Sequence, residues 1–322
     1  MKKLFLPWLV FAASSSFAWD IPGHMLVAQV ANPRLNTNAV AHLEKFGSQL
    51  QYNSHHYNPV NIAGWADQVK HAHGVPEAGH FGDWHFIDLG YPDGHLDLLT
   101  NPPSLKIVGG DLVSALKHCV DFVKTHKDHD NVISSEAVAV ALIVHLVGDI
   151  HQPLHCSDHY YDHAHVEPGH RRTKASESDG GGNAIKITNF PEPQGYTNLH
   201  AFWDAAYKAS RGVLTSTITL EKDLDSFGTS PNDANITKAA AAILKSPPPA
   251  GANLTPDFDA WALETHALGS SEAYGKLSGN VETSPRKLTY AYVKNAHQIT
   301  QKQLCLAGYR LAALLNELYP AH

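Results

Sequence analysis

Cysteine is scarce in this chain: Cys119, Cys156 and Cys305 are the only three in 322 residues, far apart and with no C-x-x-C pair. That argues against a thiolate metal site. One disulfide is permitted in an exported protein, and Cys119 with Cys305 is compatible because both fall in helical segments; the odd count then leaves one thiol over. Positive charge is also in short supply, with 24 Lys and Arg against 31 Asp and Glu, net −7. An acidic protein is a poor generic binder of nucleic acid or of anionic membrane. If it handles phosphate, local cations must do so, and metal ions are the obvious ones. Long hydrophobic runs are missing too. The one apolar stretch near the start, Leu4 to Ala13, is too short to span a bilayer, and no later run is long enough. There is no internal repeat and no composition shift sharp enough to mark a second domain.

What is present is histidine, 23 of them, and an N-terminal processing pattern. Lys2 and Lys3 precede the apolar stretch, and Ser14-Ser15-Ser16-Phe17-Ala18 follows it, with small residues three and one positions before a cut. Residues 1–18 are therefore expected to be a secretory leader, and residues 19–322 the mature domain, secreted or periplasmic. The mature chain has 304 residues (322 minus 18) and net charge −9 (22 minus 31). Its new terminus is Trp19. A free α-amino group has a reference pKa of about 7.7–8.0 and becomes a nitrogen donor near neutral pH. The Lys-Lys leader and the lack of paired cysteines fit a bacterial export route. Asn235-Ile-Thr and Asn253-Leu-Thr are glycosylation sequons, meaningful only in a eukaryotic secretory pathway.

Nearly every periodic segment reads as helix, so the fold class expected is all-α, a single compact multi-helix domain. Apolar residues recur at three- and four-residue steps from about 23 to 45. A helix starts at Asp111 and another at Ser134, the N-cap candidate, whose run Ala137–Val147 is apolar on most sides and so is expected to be buried. Pro153 is expected to end it. A shorter helix is expected over 198–209 and a long C-terminal one over 286–318. Ser157–Gly182 reads as a long polar surface loop, and Ser246-Pro247-Pro248-Pro249 as a break between helices. Trp65 and Trp203 are expected in the core.

The densest chemistry is His145-Leu-Val-Gly-Asp149-Ile-His151-Gln-Pro-Leu-His155. Positions four apart on a helix share a face, so His145 and Asp149 point into one site. Pro153 frees His155 to approach from another angle. A carboxylate has two oxygens, so Asp149 can bridge two ions. His200-Ala-Phe-Trp-Asp204 repeats the i, i+4 spacing. Burying so many ionisable groups without partners would be costly, which favours ligation over a plain buried helix. Asp67, His85 and His24 are weaker single candidates; each alone would more often be a satisfied polar residue.

In chain order, Trp19-Asp-Ile-Pro-Gly-His24, Trp65-Ala-Asp67, His85-Phe-Ile-Asp88, the His145–His155 block, Gly181-Gly-Asn183 and His200-Ala-Phe-Trp-Asp204 resemble the trinuclear-zinc, single-strand-preferring nucleases and 3′-nucleotidases. The likeness continues into Ala307-Gly-Tyr-Arg310-Leu-Ala-Ala-Leu-Leu-Asn316 and so spans nearly the whole mature chain. It implies a zinc-dependent phosphodiesterase with three Zn²⁺ ions at the heart of the helical domain. Asp67, His85, His145 and Asp149 would hold one ion. The amine and carbonyl oxygen of Trp19, with His24 and Asp149, would hold the second; His155, His200 and Asp204 would hold the third. The implied reaction is in-line attack on phosphorus by a metal-activated water, with Asp67 and Asp149 in the catalytic centre and the third ion at the departing 3′ oxygen. The P–O3′ bond breaks and 5′-phosphates remain. Lys70 aligns with a basic residue that offsets transition-state charge. Phe86 and Asp88 match positions that stack on a base and bind its edge, and stacking needs an unstacked base. Asn183 is placed to approach the phosphate. The implied partners are single-stranded nucleic acid and 3′-nucleotides, with no membrane and a monomeric enzyme.

Zinc-dependent phospholipase C is the alternative, a more distant relative that places Glu where Asp204 stands here. A non-catalytic zinc scavenger is suggested only by the histidine count, and the ordered motifs argue against it. The loop over 157–179 is longer than the family core needs and leaves DNA versus RNA preference open. The remaining 18 histidines (23 minus 5) are expected to face solvent for the most part, with His151 beside the site.

Overall fold

A computed structural model describes residues 19–52, 56–70, 72, 81–91, 111–127, 132–159, 179–188, 196–208, 234–245, 247–277 and 285–321. The expected leader and residues 160–178 of the expected loop lie outside these. The described chain is mostly helical, as expected. Its centre is α5 (Glu136–Asp149), in which every residue from Ala137 to Asp149 is buried. Ala, Val, Leu and Ile on all sides leave this helix no solvent face, so other helices must surround it. α1 (Ile21–Ala31), α2 (Thr37–Gln49), α4 (Leu112–Thr125) and α9 (Tyr290–Leu318) all pack against it. Fully buried aliphatic side chains such as Leu142 and Ile143 each contribute about 1.5–3 kcal/mol of burial.

The helix ends follow local chemistry, with four departures from expectation. The stretch read over 23–45 is two helices, because Pro33 has no N–H to donate and its ring blocks the preceding turn; a 3₁₀ turn, Asn32–Arg34, intervenes. Asn36 then caps α2 by accepting from the Ala39 N–H at 2.9 Å. The cap of α5 is Ser135 rather than Ser134: its extended backbone (φ −162°, ψ 162°) aims the hydroxyl at the Val138 N–H. α5 also stops before Pro153, at Asp149; Gln152 is extended, as a residue preceding proline tends to be, and Pro153–His155 form a 3₁₀ turn. α9 begins at Tyr290, capped by Thr289, while Arg286–Lys287 form β4, parallel to β3 (Ile187–Thr188). The helix expected to start at Asp111 begins there as α4, with Asp111 its cap in a reciprocal capping box with Ser114.

The remaining helices are α3 (Trp65–Val69), α6 (Leu199–Ala205, capped by Asn198), α7 (Ala234–Ile243) and α8 (Phe258–Leu268). The proline break falls between α7 and α8. β1 (Gly90–Tyr91) runs parallel to β2 (Asp158–His159). Two apolar clusters form the interior. The larger surrounds α5 and includes Trp65; the smaller contains Leu154, Leu199, Trp203 and Tyr292. Both tryptophans are core residues as expected, Trp65 3% and Trp203 0% exposed. All three cysteines are buried and free, so the Cys119–Cys305 bridge is not formed. No described helix is long and apolar enough to cross a membrane.

Arg310 of α9 is a buried cation with its donors satisfied. Its Nε donates to the Asn253 carbonyl at 3.0 Å, its guanidinium meets His151 Nε2 at 3.0 Å and Glu264 Oε2 at 2.5 Å, and it stacks over Trp261. These contacts tie α8 and α9 to the turn that follows α5. Replacing Arg310 by Met keeps much of the volume but leaves the buried His151 Nε2 without its donor. We expect the apo protein to lose about 1–3 kcal/mol, read as a lower urea midpoint. An unchanged midpoint would show that the network contributes nothing to stability.

Candidate metal centre

Three buried groups of side chains converge: His24, His145 and Asp149; Asp67, His85 and His145; His155, His200 and Asp204. In each, the donor atoms lie within 4.8 Å of one another. The Asp149 carboxylate joins them. Its Oδ2 is 3.1 Å from His85 Nδ1 and 3.2 Å from His145 Nε2, and its Oδ1 is 3.4 Å from His24 Nε2 and 3.5 Å from His155 Nδ1. Asp67 Oδ1 stands 3.8 Å from His145 Nε2 and 3.9 Å from His85 Nδ1. In the third group Asp204 is 3.7 Å from both His155 Nε2 and His200 Nε2.

These spacings suit a cation. Ligands at about 2.0–2.1 Å around a tetrahedral ion sit about 3.3 Å apart. Imidazole nitrogens already approach that closely: His145 Nε2 to His85 Nδ1 is 3.0 Å, and His155 Nε2 to His200 Nε2 is 3.2 Å. Several buried atoms also have no hydrogen-bond partner, namely both His24 ring nitrogens, Asp67 Oδ2, His85 Nε2 and Asp149 Oδ1. Buried polar groups left unpaired are costly, and a bound cation would satisfy those that face the cluster.

The backbone sets the ring orientations. His145 Nδ1 bonds the Ala63 carbonyl at 2.8 Å, His155 Nδ1 that of His85 at 2.6 Å, and His200 Nδ1 that of Gly181 at 2.7 Å. A carbonyl only accepts, so each Nδ1 carries the proton and each Nε2 faces its cluster with a lone pair. Gly181 reaches its position with φ +64°, where a Cβ would come within 2.7 Å of the Leu154 carbonyl oxygen. The segment containing Phe86 and Asp88, which leads into β1, is held alongside the third group. The Ile87 N–H donates to the His155 carbonyl at 2.7 Å, and the Asp158 N–H to that of Leu89 at 2.9 Å.

Burial opposes charge throughout the metal-free centre. At Asp67 it is outweighed by His145, Lys70 and His85, which hold the carboxyl down at about 2. At Asp149 it is outweighed by His145 and His24, which hold the carboxyl well below the usual range. His145 is raised despite burial by Asp149 and Asp67. Burial lowers His24, His85 and His155, the last to about 3, so these rings are neutral and available as ligands at neutral pH. Burial raises Asp204, against the opposing Gln152 hydrogen bond.

The sequence has relatives. The S1/P1 nuclease family model matches residues 19–320. The chain belongs to the S1/P1 nuclease family. Nuclease S1 of Aspergillus oryzae is 25% identical over 316 residues, covering 94% of this chain and 93% of its own. Nuclease P1 of Penicillium citrinum is 26% identical over 323 residues (94% and 98%), and Endonuclease 2 of Arabidopsis thaliana 24% over 319 (97% and 94%). The resemblance in the motifs is thus matched by the family model over residues 19–320.

The other expected site residues take varied places in this S1/P1 member. Lys70 is buried, with Nζ 2.8 Å from Asp67 Oδ1. Asp88 is buried and Phe86 half-buried. The Asn183 side chain donates to the Gly180 carbonyl at 2.8 Å. Trp19 is fully buried, and its indole N–H donates to the Gly148 carbonyl at 2.8 Å. One residue went unassigned in the motifs. Gln152 Nε2 donates to Asp204 Oδ1 at 2.6 Å while its Oε1 accepts from the Leu154 N–H. Its place midway between Asp149 and His155 was the only signal. The solvent-facing expectation for the spare histidines fails among the described residues. Of the eight described, only His56 and His126 are exposed; His151, His159 and His297 are buried. Each of His151 and His297 is accommodated by a backbone carbonyl that its Nδ1 meets.

Two outcomes follow. A Cβ at Gly148 would lie 2.7 Å from His24 Nδ1 and 3.6 Å from Trp19 Cδ1. Gly148→Ala gains about 1 kcal/mol of helix propensity yet must displace His24, so metal affinity should fall about tenfold or more; unchanged metal content on chelator titration would contradict this. Separately, six described histidines (His24, His85, His151, His155, His266 and His297) are lowered from 6.5, which outnumbers the groups shifted the other way, His145 and the carboxyls Asp179 and Asp204, all raised. Between about pH 4 and 6.5 the unfolded chain therefore binds more protons than the folded one. Stability of the metal-free protein should rise with pH across this window and fall on acidification. Urea midpoints of chelator-treated protein at about pH 5 and pH 7 test the sign.

Proposed function

We propose that the protein is a secreted or periplasmic, zinc-dependent endonuclease of single-stranded DNA and RNA with 3′-nucleotidase activity, breaking the P–O3′ bond to leave 5′-phosphates. As an S1/P1 nuclease family member it is a hydrolase of phosphodiester bonds. The observation that carries the finer reading is the meeting of three buried His/Asp groups around Asp149. Nitrogen and oxygen donors without thiolate, several of them imidazoles, suit zinc. On this reading the ligands of one ion are Asp67, His85, His145 and Asp149. Those of a second are Asp149, His24 and the amine and carbonyl of Trp19 freed by removal of residues 1–18. His155, His200 and Asp204 hold a third. Bound zinc would supply Lewis acidity, bringing a water pKa toward neutrality and offsetting phosphate charge inside an acidic protein.

The chain's own residues supply the rest. The backbone carbonyls of Ala63, His85 and Gly181 fix three imidazoles before substrate arrives, so little reorganisation is needed. Lys70, beside Asp67, adds a positive charge that offsets negative charge growing on the phosphate. Phe86 stacks on a base and Asp88 accepts from its edge, which selects unpaired strands, since a stacked duplex base presents no free face. Asn183 binds a phosphate oxygen. The enzyme acts as a monomer.

The test is side-by-side incubation of zinc-loaded mature protein with single-stranded DNA, RNA, a 3′-mononucleotide and phosphatidylcholine. We expect hydrolysis of the first three, 5′-phosphate ends on the DNA fragments, and loss of activity on chelation with recovery on adding zinc. Asp149→Asn should lose zinc and at least about 10²-fold in turnover together. Cleavage of phosphatidylcholine alone would instead favour a phospholipase C, and full zinc content in Asp149→Asn would remove the bridging role.

A further inference from the structure

Asp20 is held by three donors from two places in the chain, the first turn of α1 and the residues that follow α6. Its Oδ1 accepts from the Gly23 N–H at 3.1 Å, capping α1, and from the Tyr207 hydroxyl at 2.5 Å. Its Oδ2 forms an ion pair with Lys208, whose side chain is only 8% exposed. Its own N–H reaches the carbonyl of Asp204 at 3.5 Å. The preceding residue is fixed on the opposite side, with the Trp19 indole donating to the Gly148 carbonyl and lying edge-on to the Tyr207 ring. The main chain at 19–20 is thus strung between α5, which ends in Asp149, and α6, which carries His200 and Asp204.

A helix cap alone needs only one acceptor, which Ser or Asn supplies as well as Asp. The additional hydroxyl and buried ammonium go beyond that requirement. The pair joins a buried ammonium to a half-buried carboxylate, and separating them would leave the Lys208 charge unpaired in a poorly solvated place. Both additional donors come from the residues immediately following α6, so the pair links the chain start to the segment bearing the third ligand group.

We propose that Asp20 is a positioning residue: clasped by Tyr207 and Lys208, it holds the amino end at Trp19 against the metal centre. The proposal rests on the reading of Trp19 as the mature terminus and a zinc ligand. The clasp makes the terminal amine a fixed donor rather than a fraying chain end, and it is assembled by folding independently of the cut. Processing then completes a ligand set whose geometry is already in place.

The test uses mature zinc-loaded protein in three variants. Asp20→Ser retains the cap acceptor but is too short to reach Lys208; Tyr207→Phe removes only the hydroxyl; the third carries one extra residue before Trp19. Zinc stoichiometry by elemental analysis and zinc affinity by chelator competition are read alongside the thermal midpoint of the metal-free chain. We expect the extended chain to lose one ion. Asp20→Ser and Tyr207→Phe should hold that same ion about 10–100-fold more weakly, the other two being unaffected, with Asp20→Glu recovering part of the affinity. If the extended chain loses an ion while Asp20→Ser and Tyr207→Phe bind all three at full affinity and differ only in thermal midpoint, the clasp is purely structural and the proposal is overturned. If the extended chain itself keeps every ion at full affinity, the Trp19 reading falls and takes the proposal with it.

Discussion

The Asp149 carboxylate lies within 3.1–3.5 Å of four imidazoles, those of His85, His145, His24 and His155, at the end of the most apolar helix among the described residues. Charge at that depth persists only where opposite charge or a hydrogen-bond donor meets each oxygen. The rest of the architecture follows from meeting that demand. α1 brings His24, the turn before Phe86 brings His85, and the break after α5 swings His155 round to the far side of the same carboxylate. A helix apolar on every face had to be enclosed by other helices, and enclosing it also encloses the ionisable residues at its end.

The surrounding backbone does more than support these side chains. Three imidazoles are oriented by main-chain carbonyls, and Asp204 by the Gln152 amide. A carbonyl in a packed turn cannot rotate away, so ring direction is set by the fold and not by rotamer preference. The left-handed Gly180–Gly182 turn serves this purpose: it delivers the Gly181 oxygen to His200 and carries Asn183 next to it. On the proposed reading, cations held at one interior point would substitute for a basic surface and reconcile an acidic protein with an anionic substrate.

Much of this was legible in the residue order. The i, i+4 pairs His145/Asp149 and His200/Asp204 declare a shared face because helical geometry is local. The apolar run from Ala137 declares a buried helix for the same reason. Helix ends were less legible. Pro33, Ser135 and Gln152 decide where helices break, and each choice turns on one backbone angle that neighbouring sequence patterns leave open. The buried histidines show the same limit: His151 and His297 look polar in a list of letters, and only the carbonyl each one meets makes the interior tolerable.

Residue order alone determined the fold class and the types of the candidate ligands, since each depends on neighbours a few positions apart. Tertiary structure decided which candidate ligands meet, that Gln152 steadies Asp204, and that Asp20 meets Tyr207 and Lys208 across nearly two hundred positions. Those contacts join segments with no periodic relation to one another. They exist only once burial of α5 has brought the chain start and α6 to opposite sides of one carboxylate.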